Sequence, residues 1–377
     1  MAASVNRKYI PEVDQLRAFA ALLVLIYHCF QLIGARLAHG QDFDPSRFWV
    51  HASNPVIAVI EEGHSGVGLF IVLSGFILAT GAVGNVVDYR SFLLARILRI
   101  YPMLLVCLVA AASVQPVSIL NILTSLLPLN VSGGVTQSMS GMFWAVAIEF
   151  QCYLIFPFLI LFSEERGTKY LVQVIILAIV LRYLTVLADG ANPKDIAYWT
   201  VVGRIDQFCI GMILARLYAR SNLSNLKFYW FLLATFVVVA TLWIFNHLGG
   251  MPLVKLWKIW WPTVEGLMWA VFIVTYLSVG HRFPAMLMMV FTKVGEVSYS
   301  VYLVHFAVIF AAIRKSAYIR LTGNGYYDAI LTALLVVAPL SILIGWLAYH
   351  TVELPFLRLR PKYLRPTQSK SVQAMVE

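Results

Sequence analysis

The chain has 377 residues, of which 60% are hydrophobic and only 12% charged, with a mean hydropathy of +0.81 and a net charge of +10. Ordinary soluble domains carry about 25% charged residues, so a soluble fold is excluded. The basic residues are scattered singly between apolar runs and form no stripe, which excludes a nucleic-acid surface and ties the positive charge to anionic lipid and membrane orientation.

Apolar runs long enough to cross a hydrocarbon core of about 30 Å recur along the whole sequence. They predict an all-α, polytopic membrane helix bundle of about ten transmembrane helices. The spans fall at about 17–37, 64–83, 100–118, 142–162, 170–188, 204–219, 228–246, 261–279, 294–313 and 328–350. The first is a retained helix and not a signal peptide, because Glu12 and Asp14 precede it and it carries Arg17 and His28. The third runs into Ser113, Gln115 and Pro116 and either stops there or continues as a second apolar piece to Leu129; the sixth is short and holds Arg204 and Asp206. Both are open to a re-entrant reading. With the N-terminus cytoplasmic, 18 of the 28 Lys and Arg residues fall on that side, so both termini are expected inside, and Trp257, Trp260 and Trp261 form an aromatic belt at the outer interface. One membrane domain is expected over residues 1–360, then a polar, disordered cytoplasmic tail over 361–377, with no appended soluble domain. Cys29, Cys107, Cys152 and Cys209 lie inside apolar runs without ligand spacing, as small core residues with neither disulfide nor metal site expected.

Ionisable groups at membrane depth cost several kcal/mol and are the informative positions. Arg17 and His28 are eleven residues apart, which places them about 20° apart on one helical face and roughly 16 Å apart along it, with Asp14 on the same face. His28 near the membrane middle can accept a proton from a hydroxyl or carry an acyl group; the plainer reading is a satisfied interhelical hydrogen bond with Arg17 as an interfacial anchor. Ser298, Tyr302 and His305 line one face of the ninth span, as a second embedded imidazole or as interhelical glue. Glu149 lies at an estimated depth close to that of His28 and is expected to orient or charge it, unless it pairs with Arg204 or bonds Tyr153. Arg96 and Arg99, at i and i+3, either follow positive-inside statistics or clamp a phosphorylated ligand arriving from the cytosol.

Six blocks in order resemble the acyltransferase-3 family, multi-pass proteins that O-acylate glycans and some lipids or small molecules. They are Ile10–Pro11–Glu12–Val13–Asp14–Gln15–Leu16–Arg17 followed by His28; Gly66 to Phe76; Arg96–Ile97–Leu98–Arg99–Ile100–Tyr101–Pro102; Phe143–Trp144 to Glu149 with Tyr153 and Pro157; Gly295 to His305; and Glu353–Leu354–Pro355–Phe356. The resemblance covers about residues 10–360. It implies an acyl-CoA donor, acetyl-CoA first among them, reached from the cytoplasm, and transfer to an acceptor hydroxyl, often on the outer face. Arg17 and His28 match the family's functional pair, and Arg96 and Arg99 its proposed donor-binding arginines. The sequence departs from the pattern at Gly68, where an aspartate is common, and at Gln15, Ala95 and Ala145.

The expected function is therefore an O-acyltransferase of the bacterial inner membrane. The acceptor is a surface or secreted glycan or its lipid-linked precursor, His28 serves as base or acyl carrier, and His305 and Tyr302 support the acceptor or the oxyanion. The rivals are a proton-coupled transporter or flippase, against which no inverted repeat is visible, and a scaffold for polysaccharide export, for which His28 and Arg17 would be dispensable.

Overall fold

The computed structural model describes residues 9–114, 143–220 and 226–366. Helix α1 (Pro11–His39) opens on a proline in its first turn with Glu12 and Asp14 beside it, and closes on Gly40 at φ 68°. Next come a short α2 (Pro55–Glu61), a 3₁₀ turn Gly63–Ser65, α3 (Gly66–Ala82), β1 (Asn85–Val87) and α4 (Tyr89–Val114). The sequence continues as α5 (Phe143–Arg166), α6 (Thr168–Asp189), a short α7 (Pro193–Trp199), α8 (Val201–Arg220) and α9 (Phe228–His247). The last elements are α10 (Trp261–Val279), α11 (Ala285–Glu296), α12 (Ser298–Lys315), the continuous helix α13 (Gly325–Arg358) and β2 (Leu364–Pro366).

Among the described residues, eight helices are long and apolar enough to cross a membrane, and nine if α11 and α12, bent by 75° at Val297, count as one broken span. Within the described residues each of the ten expected segments is largely helical, the third as far as residue 114 and the ninth broken at Val297. The sixth, α8, is one unbroken helix and not a re-entrant loop. It is less apolar than the others because Arg204, Asp206 and Arg216 are all buried inside the bundle. The proposed extension from Ser113 to Leu129 lies, from residue 115 onward, outside the described residues.

Helices in a hydrocarbon solvent gain no hydrophobic drive from touching one another, so close backbone approach matters more than apolar bulk. Gly75 of α3 and Gly211 of α8 face each other's helix: a Cβ on Gly75 would overlap the Phe208 carbonyl, and one on Gly211 the Val72 carbonyl. On its other side α3 is seated on α1 through Gly66, where a Cβ would lie 2.9 Å from the Ala20 carbonyl oxygen. The bend between α11 and α12 presses on α1 in the same way, with Gly295 against the Asp14 carbonyl. Helix α13 contains two π turns, Ala333–Val337 and Tyr349–Glu353, the second of which brings Glu353 into the bundle.

The segment expected to be a disordered tail begins in order. Its strand β2 pairs antiparallel with β1, with Val86 opposite Arg365, because Tyr363 and Leu364 are apolar anchors, Tyr363 resting 5.2 Å from the Phe92 ring. The remainder of that tail, from residue 367, lies outside the described residues. Gly75→Val and Gly211→Val are expected to abolish accumulation of folded, detergent-extractable protein. Gly40→Ala, where the added Cβ meets nothing within 4 Å, is expected to cost only about 1 kcal/mol through its backbone conformation. Size-exclusion profiles and thermal melts of the three variants check this.

Candidate active site

The first polar feature is a cavity of about 710 Å³ at the end of the bundle where α1 begins. Five arginines reach it, Arg17, Arg96, Arg99, Arg358 and Arg360, against three carboxylates, Asp14, Glu149 and Glu296. The excess is positive, and each arginine is held differently. Arg17 lies 3.6 Å from Asp14, one turn back on α1. Arg99 is fixed by Glu353 at 3.1 Å, and Ser300 donates to the other oxygen of that carboxylate. Arg96 makes no ion pair with a described carboxylate: its guanidinium is set among the Phe92, Tyr153 and Tyr363 rings at 5.4–5.7 Å, and its buried Nε has no hydrogen-bond partner. A cation caged by rings and left without a carboxylate retains its charge for an anion entering from outside.

Glu149 faces the same cavity. It accepts from Ser74 Oγ at 3.0 Å and from the Tyr153 hydroxyl one turn along α5. The expected pairing of Glu149 with His28 is absent among the described residues, and so is its alternative with Arg204, which is bonded to Glu265 at 2.9 Å. Depth along a helix fixes a level but not an azimuth, and Glu149 meets α3 where His28 meets α12.

His28 Nδ1 lies 3.2 Å from His305 Nε2, and His305 Nδ1 lies 2.6 Å from the Tyr302 carbonyl oxygen. This chain of contacts assigns the protons. A carbonyl only accepts, so His305 Nδ1 carries hydrogen; in a neutral imidazole His305 Nε2 is then an acceptor, and His28 must donate from Nδ1. The lone pair of His28 is thereby placed on Nε2, the arrangement a general base requires. The cavity wall stops at Val67, Phe70 and Tyr302, one side chain short of this pair, with the Tyr302 ring centred 5.8 Å from that of His305. Ser298, the first residue of α12, lines the cavity with a buried hydroxyl that bonds nothing among the described residues.

The structure thus gathers Asp14, Arg17, Arg96, Arg99, Glu149, Ser298 and Tyr302 around one cavity and sets His28 and His305 together behind it. Sequence reasoning missed Glu353, Ser300, Ser74, Arg358 and Arg360. Glu353 left a signal as the opening residue of the last block, and Ser74 and Ser300 lay inside the second and fifth blocks, whereas Arg358 and Arg360 lie outside all six. The departure at Gly68 also has a structural counterpart: a Cβ there would lie 2.8 Å from Glu265 Oε2 and 3.1 Å from Gln207 Nε2, so a carboxylate on α10 fills the space that one at position 68 would take. Gly68→Asp is expected to destabilise the protein strongly, and Gly68→Asp with Glu265→Ala to recover part of the loss. A double-mutant cycle on thermal stability should return a coupling above about 1 kcal/mol.

A Staphylococcus aureus (strain COL) protein named "Putative O-acetyltransferase" is 23% identical over 95% of this chain and 60% of its own length, and its counterpart in strain MSSA476 is 22% identical over the same shares. The chain therefore spans about 60% of the length of these curated relatives. No solved structure matches the chain. Residues 10–350 match the family described as an acyltransferase domain, and the chain belongs to that family.

Proposed function

We propose that the protein is an O-acyltransferase that moves an acyl group, acetyl first among the candidates, from acyl-CoA to a hydroxyl of a surface or secreted polysaccharide or its lipid-linked precursor. The observation that carries the reading is the arginine-lined cavity ending one side chain from an imidazole pair whose contacts place the His28 lone pair on Nε2. Phosphates of the donor suit Arg17, Arg96 and Arg99, of which Arg96 has no carboxylate to compete for it. A cavity of this size lies within the range of about 300–1,000 Å³ usual for ligand sites. Excess positive charge beside it favours a cytoplasmic placement of the cavity and of both termini in a bacterial inner membrane.

In the reaction the acceptor oxygen attacks the thioester carbonyl, His28 Nε2 takes the hydroxyl proton, and the C–S bond breaks. The proton then passes to the departing CoA thiolate, so that ester and free thiol are the products. His305 keeps the working tautomer of His28 by accepting from Nδ1. Ser298 and Tyr302 lie where the thioester would enter, and suit its carbonyl oxygen. Glu149, through Tyr153, positions the ring on which Arg96 rests.

The test is the O-acetyl content of extracellular and envelope glycans in a deletion strain complemented with wild type or His28→Ala, at matched membrane levels. Restoration by wild type alone is expected; full restoration by His28→Ala, or acetylation that never depended on the protein, would sink the proposal, and a transporter would leave acetyl-CoA unconsumed. Glu353→Gln, which weakens the hold on Arg99, is expected to raise KM for acetyl-CoA about tenfold, the effect of losing roughly 1.4 kcal/mol of charge positioning, with a smaller change in kcat. Initial rates at varied acetyl-CoA check it.

A further inference from the structure

The His pair has a second polar neighbour on the side away from the arginines. Tyr27, next to His28 on α1, holds its ring 4.7 Å from that of His28 and 5.6 Å from that of His64. His64 bonds Glu62 at 2.9 Å through Nε2, stacks edge-on to Tyr198 at 5.3 Å and stands 6.4 Å from the Trp49 ring. Glu61 accepts from the Val50 amide at 3.0 Å, which ties it to the same loop as Trp49. Glu62 is braced by Asn246 at 2.9 Å, and the buried Lys258 bonds the Gly250 and Met251 carbonyls above it.

Three buried polar atoms in this group make no hydrogen bond among the described residues, Glu61 Oε2, His64 Nδ1 and Trp49 Nε1, and the buried Gln31 amide beside the Glu61 carboxyl leaves its Nε2 without a bond of ordinary length as well. Glu61 is 0% and His64 3% exposed, so surface exposure does not account for the missing partners. An unmet buried polar atom costs about 1–3 kcal/mol, and a cluster of them beside a reactive residue is what a polar ligand would satisfy. The chemistry of the group differs from that of the arginine cavity. It has carboxyl groups, aromatic faces and an imidazole, no arginine directed at the three unmet atoms, and a single lysine already engaged by carbonyls.

We propose that Glu61, His64 and Trp49 form the acceptor subsite, which holds an uncharged polyhydroxyl segment, a neutral sugar, with one hydroxyl presented to His28 past Tyr27. This rests on the acyltransferase reading and adds where the acceptor sits and what it is. Carboxyl oxygens and ring nitrogens meet vicinal hydroxyls, and the half-buried Trp49 ring covers the apolar side of a sugar ring, while the Tyr198 face is taken by the Arg204 guanidinium at 4.4 Å. Burial pushes the Glu61 carboxyl well above the usual carboxylate range, in the direction of a neutral acid whose proton suits a sugar oxygen. Donor and acceptor then approach His28 from opposite ends of the bundle, and anionic acceptors are disfavoured by Glu62.

The experiment uses the purified full chain in nanodiscs with radiolabelled acetyl-CoA and two acceptors. One is alkali-deacetylated envelope polysaccharide from a strain lacking the protein; the other is hydroxylamine, which yields acetohydroxamate and free CoA and is too small to need a sugar site. Trp49→Phe, which removes the indole N–H together with part of the ring face, and likewise Glu61→Leu and His64→Ala, are each expected to lower acetylation of the polysaccharide at least about tenfold more than that of hydroxylamine. His28→Ala should lose both. A proportional fall with both acceptors, which a structural role would give, overturns the subsite, and so does no fall with either. Wild-type protein that acetylates neither acceptor overturns the acyltransferase reading itself, a result separate from the other two because those require an active wild type.

Discussion

A charge placed below the membrane surface has to be met by another, and the bundle is organised around that requirement. Arg182 and Asp206 are both fully buried and 2.7 Å apart, with Thr263 and the Ile259 carbonyl completing the set. Two residues earlier on α8, Arg204 pairs with Glu265 at 2.9 Å, with Gln207 donating to the same carboxylate. Removing one member of such a pair leaves an unmet charge at a cost of about 3–5 kcal/mol, so α6, α8 and α10 have one register in which all four charges are paired. Because pairing is the rule in the interior, the exceptions carry information. Arg96 is held by rings alone, and the Arg17–Asp14 contact is longer than the interior pairs.

Glycine supplies the other constraint. A register fixed by buried ions is usable only where backbones come close enough for short side chains to meet, and Gly75 with Gly211 provides this between α3 and α8. Gly66 and Gly295 extend the same contact to α1 from two sides. The level of the Gly66 contact at Ala20 sets the 3₁₀ turn Gly63–Ser65 beside Tyr27, and the Gly295 contact at Asp14 sets the start of α12 so that His305 reaches His28. The position of the His pair therefore follows from two close approaches made by residues that bear no chemistry.

Much of this was legible in the sequence, since length and apolarity suffice to give spans and a charge inside a span marks itself. Arg17, His28 and His305 drew attention that way, and Arg96 and Arg99 through their i, i+3 spacing at the cytoplasmic end between two spans. What periodicity does not supply is which helix lies opposite. Glu149 was matched first to His28 on depth, with a Tyr153 bond as one alternative; Tyr153 does hold it, together with Ser74, and the partner of His28 comes from a helix 277 residues later. Glu353 was hidden for a related reason: a π turn shifts its azimuth, so ideal helical spacing misplaces it. Glu61, Glu62 and His64 were passed over because they sit at the mouth of a span, where polar residues attract no notice; only the fold reveals that they are buried.

The partner of His28 bears on how the proposed transfer would run. A carboxylate against Nδ1 would stabilise an imidazolium and allow it to persist, as in hydrolases that pass through one. A neutral imidazole accepts the same hydrogen bond and holds the same tautomer without placing a fixed negative charge in hydrocarbon, where its desolvation would be costly. The gain is orientation without a permanent buried ion. The consequence is that a protonated His28 has no counter-charge at contact distance, and the proton must leave as quickly as it arrives. In the proposed reaction the departing CoA thiolate is the group that can take it, and the arginines at the donor end hold that leaving group's phosphates in place while it does so. A water molecule admitted in place of the acceptor would be activated by the same base, so separate donor and acceptor approaches, with Tyr27 and Tyr302 closing the two sides of the pair, also limit hydrolysis of the thioester.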